Sequence, residues 1–275
     1  MEYVEGMTFL EYIQHNVEYI NHFEQGPFQW KFRNNGDMFS SIRIALSNFP
    51  EFAAIEPSLN DELTREDVAN CFQRGNNYVG LITTVLWGGG HKGANNNFQH
   101  ILEEGEVNIS NKILSVRNIL DDVNNDSIIK AFNSMMNGGE NHINGLSESF
   151  ISKVLYFLRF NHVDEIQPLI FDKFAMCFHC AMLIDDLHMD ANQMYALNNE
   201  RSLILRDRRI FNHVYIDYCT RMHNIANQYN IKRADKLEAA LFGEPTRGAG
   251  LNNANPRFFA RRYVNDYFRH PNRHN

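Results

Sequence analysis

Apolar residues recur at intervals of three and four along most of the chain, as in helices that bury one face and expose the other. Phe9, Ile13 and Val17 set this spacing near the start, and Ile109, Ile113, Val116 and Leu120 repeat it in the middle. From residue 149 to 160, Phe150, Ile151, Val154, Leu155, Phe157 and Leu158 cluster on one broad arc. At about 100° per residue, Lys153 falls near the edge of that arc, where its stem can pack while its amine faces a groove. The spacing predicts a mostly α-helical protein. Residues 29–33 and 214–216 fit either an extended or a helical state.

Glycine and asparagine punctuate the chain at residues 34–36, 88–97, 138–139 and 243–256. These breaks separate helices rather than independent domains, and no internal repeat or long linker interrupts the 275 residues. A single unit is expected over 1–275. It would have two helical lobes flanking a cleft, one of residues 1–89 plus 186–275 and the other of residues 90–185.

Composition narrows the class. With 44% hydrophobic and 21% charged residues, the chain is expected to fold as an ordinary globular protein. It has no apolar run near the roughly 20 residues that span a bilayer, and its start lacks the plan of a secretory signal, so a cytoplasmic protein with no membrane partner is expected. Cys71, Cys177, Cys180 and Cys219 form no dense framework, and reduced thiols follow. The CxxC spacing of Cys177 and Cys180 has no second ligand pair, and there is no HExxH, so neither a metal nor a cofactor is expected.

The net charge of -7 argues against indiscriminate nucleic-acid binding. Its distribution changes that picture. From Thr246 onward, Arg247, Arg257, Arg261, Arg262, Arg269 and Arg273 stand against Asp266 alone, a local charge of +5. Such a segment can lie along DNA or remain a solvated terminus. The interleaved Phe258, Phe259, Tyr263, Tyr267 and Phe268 can stack on bases or dock the segment onto the core.

The candidate chemistry lies in Lys153 and Asp172, nineteen positions apart. Removing an amine from water favours its neutral form, which can attack a sugar carbon and form a Schiff base. A carboxylate can activate the nucleophile and stabilise the cationic sugar left as a base departs. Asp172 can also cap a helix beginning near Lys173. Before Lys153, the run from Ile143 to Ser147 reads as a tight turn in which Gly145 takes a left-handed conformation and free N–H groups face an anion.

Gly145-Leu-Ser-Glu-Ser-Phe-Ile-Ser-Lys153-Val-Leu-Tyr-Phe-Leu158, Pro168-Leu-Ile-Phe-Asp172 and Ala234-Asp-Lys-Leu-Glu238-Ala-Ala-Leu-Phe242 resemble the helix-hairpin-helix DNA glycosylases, in particular their bacterial 8-oxoguanine-glycosylase-like branch. The hairpin departs from the family pattern, because Gly145 lies eight residues before Lys153 with no second glycine between them. The resemblance implies a helix-hairpin-helix glycosylase-like fold, with the hairpin in the 90–185 lobe. It makes Lys153 the Schiff-base lysine and Asp172 the catalytic aspartate. It implies DNA contacts through Gly145, Ser147 and Ser149, joined by Arg257, Arg261 and Arg262 of the basic tail. Trp87, His91, Phe150 and Glu238 are candidates for the base pocket; Trp87 alternatively belongs to the core, and Asp235 is read as solvated helix charge.

The implied activity is that of a monomeric DNA N-glycosylase on double-stranded DNA with a modified base, with AP-lyase action if Lys153 attacks. Two substrates are weighed: glycosylated hydroxymethylcytosine in phage DNA, and 8-oxoguanine. A non-catalytic DNA-binding module and a helical interaction protein with an Arg-rich tail are the readings of other classes.

Overall fold

The computed structural model describes residues 5–26, 28–29, 62–88, 100–101, 103–121, 124–162, 166–186, 190–198, 202–243 and 255–269. Helices dominate, as the apolar spacing predicts. In chain order they are α1 (Phe9–His15), α2 (Val17–His22), α3 (Arg65–Gln73), α4 (Asn77–Gly88), α5 (Glu106–Leu120), α6 (Asn125–Met135), α7 (Glu148–Leu158), α8 (Lys173–Asp185), α9 (Ala191–Met194), α10 (Phe211–Gln228), α11 (Ala234–Phe242) and α12 (Pro256–Arg269). A 3-10 helix (Arg208–Ile210) runs into α10, and two short antiparallel pairs are also present. β1 (Phe28–Gln29) pairs with β2 (Glu62–Leu63), and β3 (Tyr195–Leu197) with β4 (Leu203–Leu205) in a register that sets Tyr195 opposite Leu205. Residues 214–216, left open by the sequence, lie within α10.

Local chemistry starts several of these helices. Thr8 accepts the Glu11 N–H while the Glu11 carboxylate accepts the Thr8 N–H; Thr64 with Asp67 and Asn124 with Ser127 do the same before α3 and α6. Each such cap is worth about 1 kcal/mol. Ile109, Ile113, Val116 and Leu120 are the buried residues of α5, so its stripe faces inward as its spacing implies. The stripe of Phe9, Ile13 and Val17 is instead divided, with Asn16 separating the end of α1 from the start of α2.

The chain divides into two compact units, one of Met1–Gln25 with Glu165–Asn275 and one of Gly26–Asp164. These boundaries differ from the expected 1–89 plus 186–275 and 90–185. The reason is packing: α3 and α4 lie against α7, which ties residues 62–88 to the second unit, and α8 lies against α12, which ties residues 166–186 to the first. In the first unit α8 also packs on α1, and α11 on α2, α10 and α12. In the second, α4 contacts α3, α5 and α7, and α6 contacts α5 and α7.

Candidate active site

Lys153 and Asp172 belong to different units, and each is held by its own surroundings. In the second unit, the turn before α7 has Gly145 at φ 86°, a left-handed conformation that glycine adopts without steric cost. Leu146 closes the turn by donating to the Ile143 carbonyl at 3.3 Å. Ser147 then caps α7 with extended backbone and no side-chain capping bond. Gly145 and Ser147 are both exposed at the positive end of the helix, where N–H groups can receive an anion.

One turn into α7, Lys153 is only 4% exposed. That is deeper than the edge position inferred from the helical wheel. Its Nζ donates to Ser149 Oγ at 2.8 Å and to the Ser149 carbonyl at 3.3 Å, and lies 5.4 Å from the centroid of the Phe150 ring. Ser149, a candidate phosphate contact, therefore bonds the amine, and Phe150 lies beside it. Trp87 packs edge-on against Phe157 at 5.3 Å and receives the Arg65 guanidinium at 5.5 Å, while Arg65 donates to the Tyr156 hydroxyl at 2.8 Å. Trp87 is thus built into the packing around α7. His91 lies outside the described residues.

In the first unit, Asp172 caps α8 as its sequence position allows. Its Oδ1 accepts the N–H groups of Phe174 at 2.8 Å and Ala175 at 3.2 Å. Among the described residues Oδ2 accepts no hydrogen bond, and the side chain is only partly buried. One oxygen therefore fixes the carboxyl group at the positive end of α8.

The segment leading to Asp172 is anchored from the core. Gln167, Leu169, Ile170 and Phe171 are buried; Gln167 donates its N–H to His223 Nε2 at 2.8 Å, and Ile170 donates to Glu238 Oε1 at 2.7 Å. Glu238 is fully buried and also receives the Tyr218 hydroxyl at 3.4 Å. This carboxylate thus holds the backbone that leads to Asp172. Asp235 is likewise no solvated charge, being 4% exposed and paired with Arg233, whose Nε donates to it at 2.7 Å.

The basic tail divides in the same way. Arg257 lies over the Phe174 ring at 4.7 Å and the Phe242 ring at 5.4 Å; burial lowers its pKa, and the nearby Asp172 charge partly restores it. Arg261 and Arg262 are exposed, with Arg262 3.6 Å from Asp266. Phe259 docks against Tyr12 at 4.5 Å, and the Tyr267 hydroxyl accepts the Asn192 side-chain amide at 2.9 Å. Arg247 and Arg273 lie outside the described residues. All four cysteines are unbridged, and burial raises the Cys177 pKa to about 11.

Residues 39–242 match the family model described as "Putative 8-oxoguanine DNA glycosylase OGG-like protein". The match covers well over half of the chain and includes Lys153 and Asp172, so the chain belongs to this OGG-like DNA glycosylase family. No curated protein and no solved structure gives a significant match. Among the described residues, no helix is long and apolar enough to cross a membrane.

Proposed function

We propose that the chain is a helix-hairpin-helix DNA glycosylase that takes a modified base out of duplex DNA and breaks its bond to the sugar through Lys153 and Asp172. The observation that carries this is the amine on α7. A lysine 4% exposed, held by Ser149 one turn behind an exposed glycine turn, is unlike the solvated lysines of helix surfaces. The turn and the start of α7 hold a phosphate, while exposed Arg261 and Arg262 add contacts to the DNA backbone.

Nζ attacks C1′ as the C1′–N bond breaks; the bonding pair leaves with the base, which takes up the proton that the nitrogen sheds on forming its new bond. Asp172 stabilises positive charge on the sugar through Oδ2. Ring opening gives an imine, and loss of a proton from C2′ then expels the 3′ phosphate, the lyase step.

The substrate proposed first is glycosylated hydroxymethylcytosine in phage DNA. The second reading, 8-oxoguanine, is supported by the family description. Duplexes carrying each base, incubated with excess enzyme, test both. Release of the glycosylated base, falling by about 100-fold or more in Lys153→Gln and Asp172→Asn while DNA affinity stays within threefold, is expected. Release of 8-oxoguanine alone selects the second substrate. Full activity in both variants removes the mechanism.

A further inference from the structure

The last residue of α4 is a glycine that no backbone requirement explains. Gly88 is absent from the positive-φ glycines, and a helix position ordinarily favours alanine over glycine. What the missing side chain provides is space. A Cβ at Gly88 would come within 2.5 Å of Lys153 Cδ and 2.6 Å of Cε, distances that atoms in contact do not reach, and 3.4 Å from Phe150 Cε1. The stem of Lys153 occupies the volume that any other residue at 88 would fill. α4 and α7 pack together within the second unit, so this contact belongs to one folded body.

We infer that Gly88 is a positioning residue for Lys153, setting the path of its stem and hence the place from which Nζ reaches the sugar. Among the described residues, the bare backbone of Gly88 lies beside the stem, Ser149 at the nitrogen, and the Phe150 ring alongside. This inference rests on Lys153 being the nucleophile. The atoms an added methyl would meet first are the outer carbons of a flexible side chain rather than backbone. Gly88→Ala therefore displaces the amine while the helices can keep their places. A misplacement of about 1 Å at a reacting group costs about 100-fold in rate.

The test uses the full chain and an abasic-site duplex with borohydride. At saturating DNA, Gly88→Ala is expected to form the trapped adduct at least tenfold more slowly per DNA-bound molecule, with DNA affinity within twofold of the parent. Reductive methylation without DNA, read at the Lys153 peptide by mass spectrometry, is expected to speed up at least twofold as the stem leaves its slot. Because adduct formation is scored per bound molecule, partial loss of folded protein does not obscure the comparison. An unchanged adduct rate together with unchanged methylation overturns the role of Gly88. A Lys153→Gln protein that still traps at the parent rate overturns the nucleophile instead, and Lys153 methylation in Gly88→Ala then still decides whether residue 88 places the stem.

Discussion

Substitution of Glu238 separates an anchoring carboxylate from a base-reading one. It is fully buried and accepts the Ile170 N–H at 2.7 Å, within a segment whose neighbours Leu169 and Phe171 are also buried. Glu238→Ala leaves that N–H buried without its acceptor. A hydrogen bond to a charged group contributes about 1.5–3 kcal/mol, and a stranded buried donor adds to the loss, while removal of a buried carboxylate offsets part of it. A net cost of about 3 kcal/mol follows for Glu238→Ala. Glu238→Gln keeps a carbonyl oxygen for Ile170 and is expected to cost about 1 kcal/mol. For a protein of this size, about 2–4 °C of melting temperature per kcal/mol converts these to a fall of about 6–12 °C for alanine and 2–4 °C for glutamine. Calorimetry reads the melting, and excision per DNA-bound molecule reads the placement of Asp172, which only alanine is expected to impair strongly. Equal melting of parent and Glu238→Ala would refute the anchoring account. A changed base preference in Glu238→Gln, with melting preserved, would assign this residue to the base pocket.

Further outcomes follow from the same contacts. Mutating Arg261 or Arg262 to alanine is expected to weaken DNA binding on all sequences and to lower the slope of log affinity against log salt by about 1 each, read by titration at several salt concentrations. Arg257→Ala acts mainly on stability, by about 1–2 kcal/mol in denaturant melts, because its guanidinium lies over Phe174 and Phe242. His179 is buried, with Nδ1 2.6 Å from the Tyr195 hydroxyl and Nε2 2.7 Å from Asp217. Burial holds its pKa below 6.5, partly offset by Asp217 and reinforced by the charge of Arg221. The unfolded chain thus takes up this proton first as pH falls below about 6.5, and stability declines from there towards the lower folded pKa. His179→Phe should flatten that part of the pH–stability curve relative to the parent; an unchanged slope counts against a neutral His179.

Much of this was legible in short-range pattern, and the rest was not for a physical reason. The stripe of α5, the left-handed Gly145 and the capping role of Asp172 depend on residues within one or two turns, and spacing reveals them. Glu238 meets Ile170 across 68 residues, and Gly88 meets Lys153 across 65, so neither partnership leaves a periodic trace. The helical wheel put Lys153 at an edge because it describes one helix alone; the packing of α4 on α7 buries it. The expected lobe boundaries followed glycine-rich breaks, whereas the units follow which helices share a core. The OGG-like resemblance seen in residues 145–158, 168–172 and 234–242 extends over most of the chain in the family match.

The attacking amine is tested most directly by trapping the enzyme on abasic duplex DNA with borohydride and mapping the cross-linked peptide. A covalent adduct at Lys153, absent in Lys153→Gln and strongly slowed in Asp172→Asn, is the predicted result. An adduct at another lysine, or an undiminished adduct in the Lys153→Gln protein, would contradict the assignment of this amine as the nucleophile.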